Sequence, residues 1–188
     1  IPQDPLELVA GEVSLLATAR VDVMKDKDAF AVVRRSLTRY GCVSAADFDW
    51  LADQTQRALL VTRGDSNRPE FSVILAGQFS EPDAGRALEM LARRVGTNDA
   101  ATSRTQGRFT ISQKGPWSAI VLENRLLVAG HDGFGGSTLD VIDHPPEARY
   151  AQSEIFRELG DHMHWLDRSL CALITANGGV AQRMKGEL

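Results

Sequence analysis

The chain has very little cysteine and no long apolar segment. A helix that crosses a membrane needs about 20 consecutive apolar residues, and no run in the 188 residues approaches that length. We therefore expect no transmembrane segment in this chain. The only cysteines are Cys42 and Cys171. They either form one disulfide in an oxidising compartment or remain two thiols, and the sequence leaves both alternatives open.

Concentrated positive charge is also missing. The chain has 21 Lys and Arg against 25 Asp and Glu, for a net charge of −4. The only basic pairs are Arg34-Arg35 and Arg93-Arg94, and both fall in segments with helical spacing and an apolar opposite side. Proteins that bind nucleic acid usually carry a concentrated basic face, so we expect no nucleic-acid partner.

No catalytic or cofactor signature of real specificity occurs. The sequence has no Gly-x-Ser-x-Gly elbow of a serine hydrolase and no phosphate-binding loop with its lysine. We therefore predict no cofactor and favour a protein that is not an enzyme.

What is present is ordinary globular composition, with 43% hydrophobic and 24% charged residues. A chain of this length fits a single domain over residues 1–188. Residues 97–106 are small and polar, so we predict a flexible loop there. That loop is the natural boundary of a subdivision into 1–96 and 107–188.

Three Ser-x-x-Asp tetrapeptides mark expected helix starts, at Ser44–Asp47, Ser80–Asp83 and Ser137–Asp140. A serine at the N-cap accepts a hydrogen bond from a free backbone N–H, and an acid three residues later suits the positive helix end. The last two follow apolar runs that end at a glycine. This repeated strand–turn–helix unit indicates two similar halves.

Hydrophobic periodicity supplies the other elements. It predicts strands at 12–24, 57–63, 71–79, 108–113, 117–123, 125–130 and 170–175, and helices at 26–40, 45–54, 81–95 and 153–166. Residues 73–75 are apolar on both faces, as in a central strand covered from both sides. We predict an α+β fold with a mainly antiparallel sheet and helices packed on one face.

One candidate metal site is His162, His164 and Asp167. The sequence around them resembles the His-x-His-x-Asp-His signature of zinc hydrolases, but Asp167 is one residue late and Arg168 replaces the last histidine. On a helix, residues two apart diverge by about 200° and cannot share a metal, whereas on a strand they can. A tetrahedral zinc site also needs a third protein ligand.

A second candidate site is the glycine-rich loop Gly130–Gly136, which follows a strand and precedes a helix. Loops in that position can bind phosphate or another small ligand. Its candidate ligand-binding residues are His131, Asp132, Gly133, Gly135, Gly136 and Ser137. The alternative is a surface loop whose glycines permit positive φ.

Two features resemble a group of exported bacterial α+β proteins. The chain opens Ile1-Pro2-Gln3-Asp4 before a strand that ends in Val21-Asp22-Val23, and two strands end in similar motifs, Leu75-Ala76-Gly77 and Leu127-Val128-Ala129-Gly130. The resemblance implies a periplasmic or lipoprotein-anchored domain, with anchoring through a removed N-terminal segment. A cytoplasmic location is the alternative.

The leading functional hypothesis is a non-catalytic binding or scaffolding domain of the bacterial cell envelope, with a protein partner there. It rests on a coherent core pattern in the absence of convergent chemical groups. One alternative is a metal-dependent hydrolase that uses His162 and His164. The other is a small-ligand sensor that uses the Gly130–Gly136 loop.

Overall fold

The computed structural model describes residues 4–9, 13–41, 43–63, 70–96, 98–131, 138–139 and 141–142, and the main chain of 170–174. Within these ranges the helices lie mainly in the first half of the chain, and a run of strands follows the last of them. A short 3-10 helix, Pro5–Leu8, precedes β1 (Leu15–Arg20), α1 (Val21–Met24), α2 (Asp28–Arg39), α3 (Ala45–Gln54), β2 (Thr55–Arg63), β3 (Glu70–Gly77), α4 (Glu81–Val95), β4 (Thr102–Gln106), β5 (Phe109–Lys114), β6 (Trp117–Leu122), β7 (Leu126–His131) and β8 (Leu170–Ile174).

The strands form one eight-stranded sheet in the order β4-β5-β6-β7-β3-β2-β1-β8. Every neighbouring pair is antiparallel. The predicted α+β class with a mainly antiparallel sheet is therefore confirmed. The centre of the sheet is the β3–β7 pair, in which Ile74 lies opposite Val128. That pair joins strands from both sides of residues 97–106, and the subdivision into two halves stays a prediction.

Each face of the sheet carries its own hydrophobic core, because successive side chains of a strand point to opposite faces. On one face, Leu75 and Leu127 pack with Ala84 and Leu88 of α4. On the other, Ile74 and Val128 pack with Leu6 and Leu8 of the 3-10 helix and with Leu139. The expected two-sided cover of residues 73–75 is present. The second core lies opposite the face on which α3 and α4 pack.

Two of the three predicted serine caps are present as expected. The Ser44 hydroxyl accepts from the Asp47 N–H at 3.1 Å at the start of α3. At α4, Ser80 and Asp83 form a capping box, in which Asp83 Oδ2 accepts from the Ser80 N–H at 2.7 Å. The third cap, at Ser137, lies outside the described residues.

Two sequence predictions need correction. The expected strand at 12–24 ends at Arg20, and Val21–Met24 forms a single helical turn. The alternation predicted a strand because β-branched residues continue into that turn. Residues 102–106, expected within a polar loop, form the edge strand β4, whose five side chains are all exposed or half-buried. An edge strand with little burial carries no apolar alternation by which a strand is recognised.

Candidate functional site

The described residues form an apolar pocket between the sheet and the helices α1, α2 and α3. Its volume is about 360 Å³, within the range of cavities that hold small organic ligands. The walls are almost wholly aliphatic or aromatic. They comprise Ala19, Ala58, Val73 and Leu75 of the sheet, and Val21, Met24, Phe30, Val33, Leu37, Val43, Phe48, Leu51, Ala52 and Met90 around it, with Thr55 as the polar exception.

Helix α2 forms one wall of this pocket without being packed into the core. Its apolar stripe of Phe30, Val33 and Leu37 faces the cavity, yet none of its residues is buried. The predicted helix at 26–40 is confirmed as α2. Its apolar stripe, however, lines the pocket and is not packed against other side chains of the described core. This wall is missing the close packing that usually covers an amphipathic helix.

Two contacts hold α2 to α3. The rings of Phe30 and Phe48 lie 5.3 Å apart. The guanidinium of Arg34 donates two hydrogen bonds to the Asp49 carboxylate, each 2.7 Å long. This ion pair is exposed, and exposed pairs contribute little to stability. Helix α2 is thus held mainly by its contacts with α3.

Thr55 is the one residue of the pocket wall with a polar side chain. The residue is 4% exposed, and among the described residues its Oγ1 has no hydrogen-bond partner. Buried hydroxyl groups are usually hydrogen-bonded. Thr55 therefore brings a buried hydroxyl group, unpaired within the described part of the chain, to an otherwise apolar wall.

A smaller, polar cavity of about 210 Å³ lies next to the apolar pocket. Val43 and Met90 line both cavities. The polar cavity is also lined by Asp47 at the first turn of α3 and by Arg93 and Arg94 at the last turn of α4. An apolar space and a charged space thus share a wall of two side chains.

Asp47 is the most extensively bonded charged group at this cavity. Its Oδ2 accepts from the Ser44 hydroxyl at 2.7 Å and from Arg93 Nη2 at 3.0 Å, while Oδ1 lies 3.5 Å from Arg86 Nη2. The Ser44 hydrogen bond and then the two guanidiniums lower the pKa of Asp47, and they outweigh the opposing effect of burial. Asp47 is therefore a carboxylate at neutral pH, and two arginines offset its charge.

The sequence-predicted ligand loop is described only at its first residues. His131 ends β7, where its Nδ1 accepts from the Phe71 N–H at 3.0 Å. Its ring lies 4.4 Å from that of Trp117 and 5.3 Å from that of Phe71. These contacts give His131 a packing role at the sheet. The other candidates of the loop, Asp132, Gly133, Gly135, Gly136 and Ser137, lie outside the described residues.

The metal and disulfide candidates stay predictions. His162, His164, Asp167 and Cys42 lie outside the described residues, as does the side chain of Cys171. In the part of the chain that the structure describes, no three His, Cys, Asp or Glu side chains converge as metal ligands would. No helix in that same part has the length and apolarity to cross a bilayer.

Sequence reasoning missed the apolar pocket. Its one signal was the stripe of Phe30, Val33 and Leu37, which predicts a buried helix face equally well. Nothing in the spacing tells whether a stripe meets side chains or a cavity, because that depends on the distance between helix and sheet.

Comparisons with known proteins give a fold and no family. No protein-family model matches the chain, and no curated protein matches it. Among solved structures, it is similar to crystal form IV of TP0453, with 14% identity, a TM-score of 0.57, and coverage of 95% of this chain and 66% of that one. Crystal form III of TP0453 gives 10% identity, a TM-score of 0.51, and coverage of 99% and 69%. At such low identity the likeness concerns the fold alone.

Proposed function

We propose that this protein is a non-catalytic binding protein that holds an apolar chain, such as an acyl chain, in the pocket between α2, α3 and the sheet. The observation that carries the proposal is the pocket itself, whose wall of about fifteen side chains contains one hydroxyl and no charge. Covering such a wall with another apolar group removes apolar surface from water, which favours binding.

The attachment of α2 supports the same function. A helix without buried residues can shift to admit a long ligand at little cost, since no tightly packed contacts have to be broken. Bound chain would then supply the packing that the stripe of Phe30, Val33 and Leu37 otherwise lacks.

We further propose that the protein acts in the bacterial cell envelope. The support is the sequence resemblance to exported α+β proteins, which rests on the opening Ile1-Pro2-Gln3-Asp4 and on the two strand-end motifs. The fold shared with TP0453 agrees with an α+β domain of this kind. Fractionation of cells that express the full natural gene tests the location, and recovery only with cytoplasmic markers would refute it.

The pocket is tested with two alanines of the same strand and face. Ala19 lines the pocket, whereas Ala17, two residues earlier on β1, does not, and both are half-buried. Dodecanol, an uncharged apolar chain, serves as the ligand in calorimetric titration. We expect the wild type and Ala17→Phe to bind dodecanol, and Ala19→Phe to lose at least about tenfold in affinity because its ring fills the cavity.

Thermal unfolding of both variants serves as the folding control. Equal dodecanol affinity in Ala19→Phe and wild type, or no binding by either, would refute the proposed pocket.

A further inference from the structure

The apolar pocket and the polar cavity are walled by the same two side chains. Met90 and Val43 contribute to both, and Met90 also lines a third, apolar cavity of about 90 Å³ between α4 and the sheet. Methionine is unbranched and flexible, so its side chain can move aside without a change in the backbone. One ligand could therefore extend from the apolar pocket into the polar cavity past Met90.

The polar cavity carries a surplus of positive charge. Two arginines line it, Arg93 and Arg94, against the single carboxylate of Asp47, and that carboxylate also lies 3.5 Å from Arg86 Nη2. Arg86 and Arg93 both pair with Asp47. Among the described residues, no carboxylate lies within ion-pair distance of Arg94, which is exposed at the cavity. The positive end of α3 lies here too, since Ser44 and Asp47 belong to its cap and first turn.

Asp47 does not prevent an anion from binding. Its two oxygens are already engaged by Ser44, Arg93 and Arg86. Arginine presents five N–H donors in a planar fork. Arg93 uses part of this set on Asp47 and on the Glu89 carbonyl, and it is 61% exposed. Donors of Arg93 and the whole fork of Arg94 thus face the cavity and solvent.

We propose that the ligand is a single-chain amphiphile with an anionic head, a carboxylate or a phosphate monoester. The tail lies in the apolar pocket, and the head lies in the polar cavity against Arg93 and Arg94. This inference rests on the proposed function, because it names the chemical class of ligand for the same pocket. The inference also assigns a role to the polar cavity between α3 and α4, whose residues would favour an anionic head group over an uncharged one.

A structural role for the arginines makes a different prediction. Arg93 and Arg94 occupy the last turn of α4, where cations favour helix stability. If that were their whole role, removing Arg94 would lower Tm and leave the choice between ligands unchanged. The discriminating measurement is therefore the ratio of affinities for a charged and an uncharged chain of equal length, which a general loss of stability does not alter.

The experiment compares laurate with dodecanol at pH 7.5 and low ionic strength, below their aggregation limits, by calorimetry. We expect the wild type to prefer laurate by about threefold to tenfold, the range for one or two partly exposed ion pairs. Arg94→Gln should reduce the preference, because only Arg93 remains beside the head, and 0.5 M NaCl should reduce it in the wild type. Arg125→Gln, at a half-buried arginine that pairs with Glu123 in the β6–β7 turn, should keep it.

Two further sets of ligands test whether the anion is recognised as the head of an amphiphile or as a free ion. Dodecyl phosphate should also bind more tightly than dodecanol, whereas inorganic phosphate and acetate alone should bind at least about a hundredfold more weakly, because they lack the tail. Tight binding of inorganic phosphate would show that the cavity binds a free anion without a tail, and would overturn the proposal.

The two proposals fail in distinguishable ways. Equal affinity for laurate and dodecanol, unchanged in Arg94→Gln, would overturn the anionic head and leave the apolar pocket intact. Absence of binding by every chain would refute the pocket itself. Because Arg94 is exposed, Arg94→Gln is expected to fold, and its Tm measured beside that of Arg125→Gln verifies this.

Discussion

Asp47 and Arg93 connect the beginning of α3 to the end of α4 across 46 positions of sequence. Arg93 Nη2 donates to Asp47 Oδ2 at 3.0 Å, and the same oxygen accepts from the Ser44 hydroxyl. Arg86, stacked 4.0 Å over the Trp50 ring, approaches the other oxygen of Asp47. The two helices on this face of the sheet are thereby held together at the rim of the polar cavity.

Acid should weaken this connection. The pKa of Asp47 in the folded protein lies below its ordinary value of 3.8, so the ionised carboxylate stabilises the fold. That contribution is complete above the unfolded value and is lost as pH falls through the folded pKa. We expect Asp47→Asn to lower Tm by several degrees at pH 7, and by progressively less as the pH is lowered below 3.8, as measured by circular dichroism.

Asp49 supplies the matched control for that prediction. Its pKa is also lowered, by the hydrogen bonds from Arg34, but the pair is exposed and solvent screens it. Asp49→Asn should therefore change Tm much less than Asp47→Asn. An equal effect of both substitutions at pH 7 would contradict the role assigned to Asp47.

The two glycines that end the strand motifs are required by close backbone contacts. A Cβ at Gly130 would collide with the Phe71 carbonyl and the Ser72 Cα, and one at Gly77 would collide with the Gln54 carbonyl. We expect Gly130→Ala to destabilise the protein by at least about 2 kcal/mol. Urea denaturation measures the change.

Gly85, within α4, is the contrasting position, since a Cβ there meets nothing within 4 Å. Alanine has the higher helix propensity, so Gly85→Ala should stabilise by about 0.5–1 kcal/mol. A loss of stability in Gly85→Ala, or none in Gly130→Ala, would contradict this account of the glycines.

Helix α2 should exchange its amide hydrogens faster than α4. It has no buried residue, whereas α4 packs Ala84, Ala87 and Leu88 against the sheet. Local opening of α2 therefore exposes little apolar surface and costs little free energy. Hydrogen exchange followed by mass spectrometry should show protection of α4 near that of β3, and much lower protection of α2. Similar protection in both helices would refute the loose attachment of α2.

Removal of the Thr55 hydroxyl should stabilise the unliganded protein. The buried Oγ1 has no hydrogen-bond partner among the described residues, and such a group costs about 1–3 kcal/mol. Thr55→Val relieves that cost, so Tm should rise by about 2–4 °C per kcal/mol for a chain of this size.

Ser72 provides the comparison for Thr55. It is equally buried, but its hydroxyl donates to the Ala129 carbonyl at 3.5 Å. Ser72→Ala should therefore bring no gain in Tm. A lower Tm for Thr55→Val than for the wild type would show that the hydroxyl is already satisfied.

Local sequence signals accounted for the elements that depend on near neighbours. Helix α3 begins after Ser44 because the cap bonds within four residues, and α4 begins after Ser80 for the same reason. The central strand β3 was evident from its apolar residues on both faces. Strand β4 (Thr102–Gln106) was missed because its side chains are all polar. Its pairing with β5 depends on a neighbouring strand and leaves no hydrophobic pattern within β4.

The site depended on distances that no local pattern contains. The stripe of Phe30, Val33 and Leu37 has the same spacing whether it meets side chains or lines a cavity. The polar cavity unites Ser44 and Asp47 with Arg93 and Arg94, residues about one quarter of the chain apart.

The sequence by itself determined the capped helices α3 and α4 and the central strand β3, since caps and hydrophobic period act over a few residues. The tertiary structure alone decided that α2 stands off the sheet and leaves an apolar pocket. It also decided that Met90 and Val43 separate that pocket from the arginines of α4. The physical reason is that packing depends on the separation of elements far apart in the chain, whereas hydrogen-bonded secondary structure depends on neighbours.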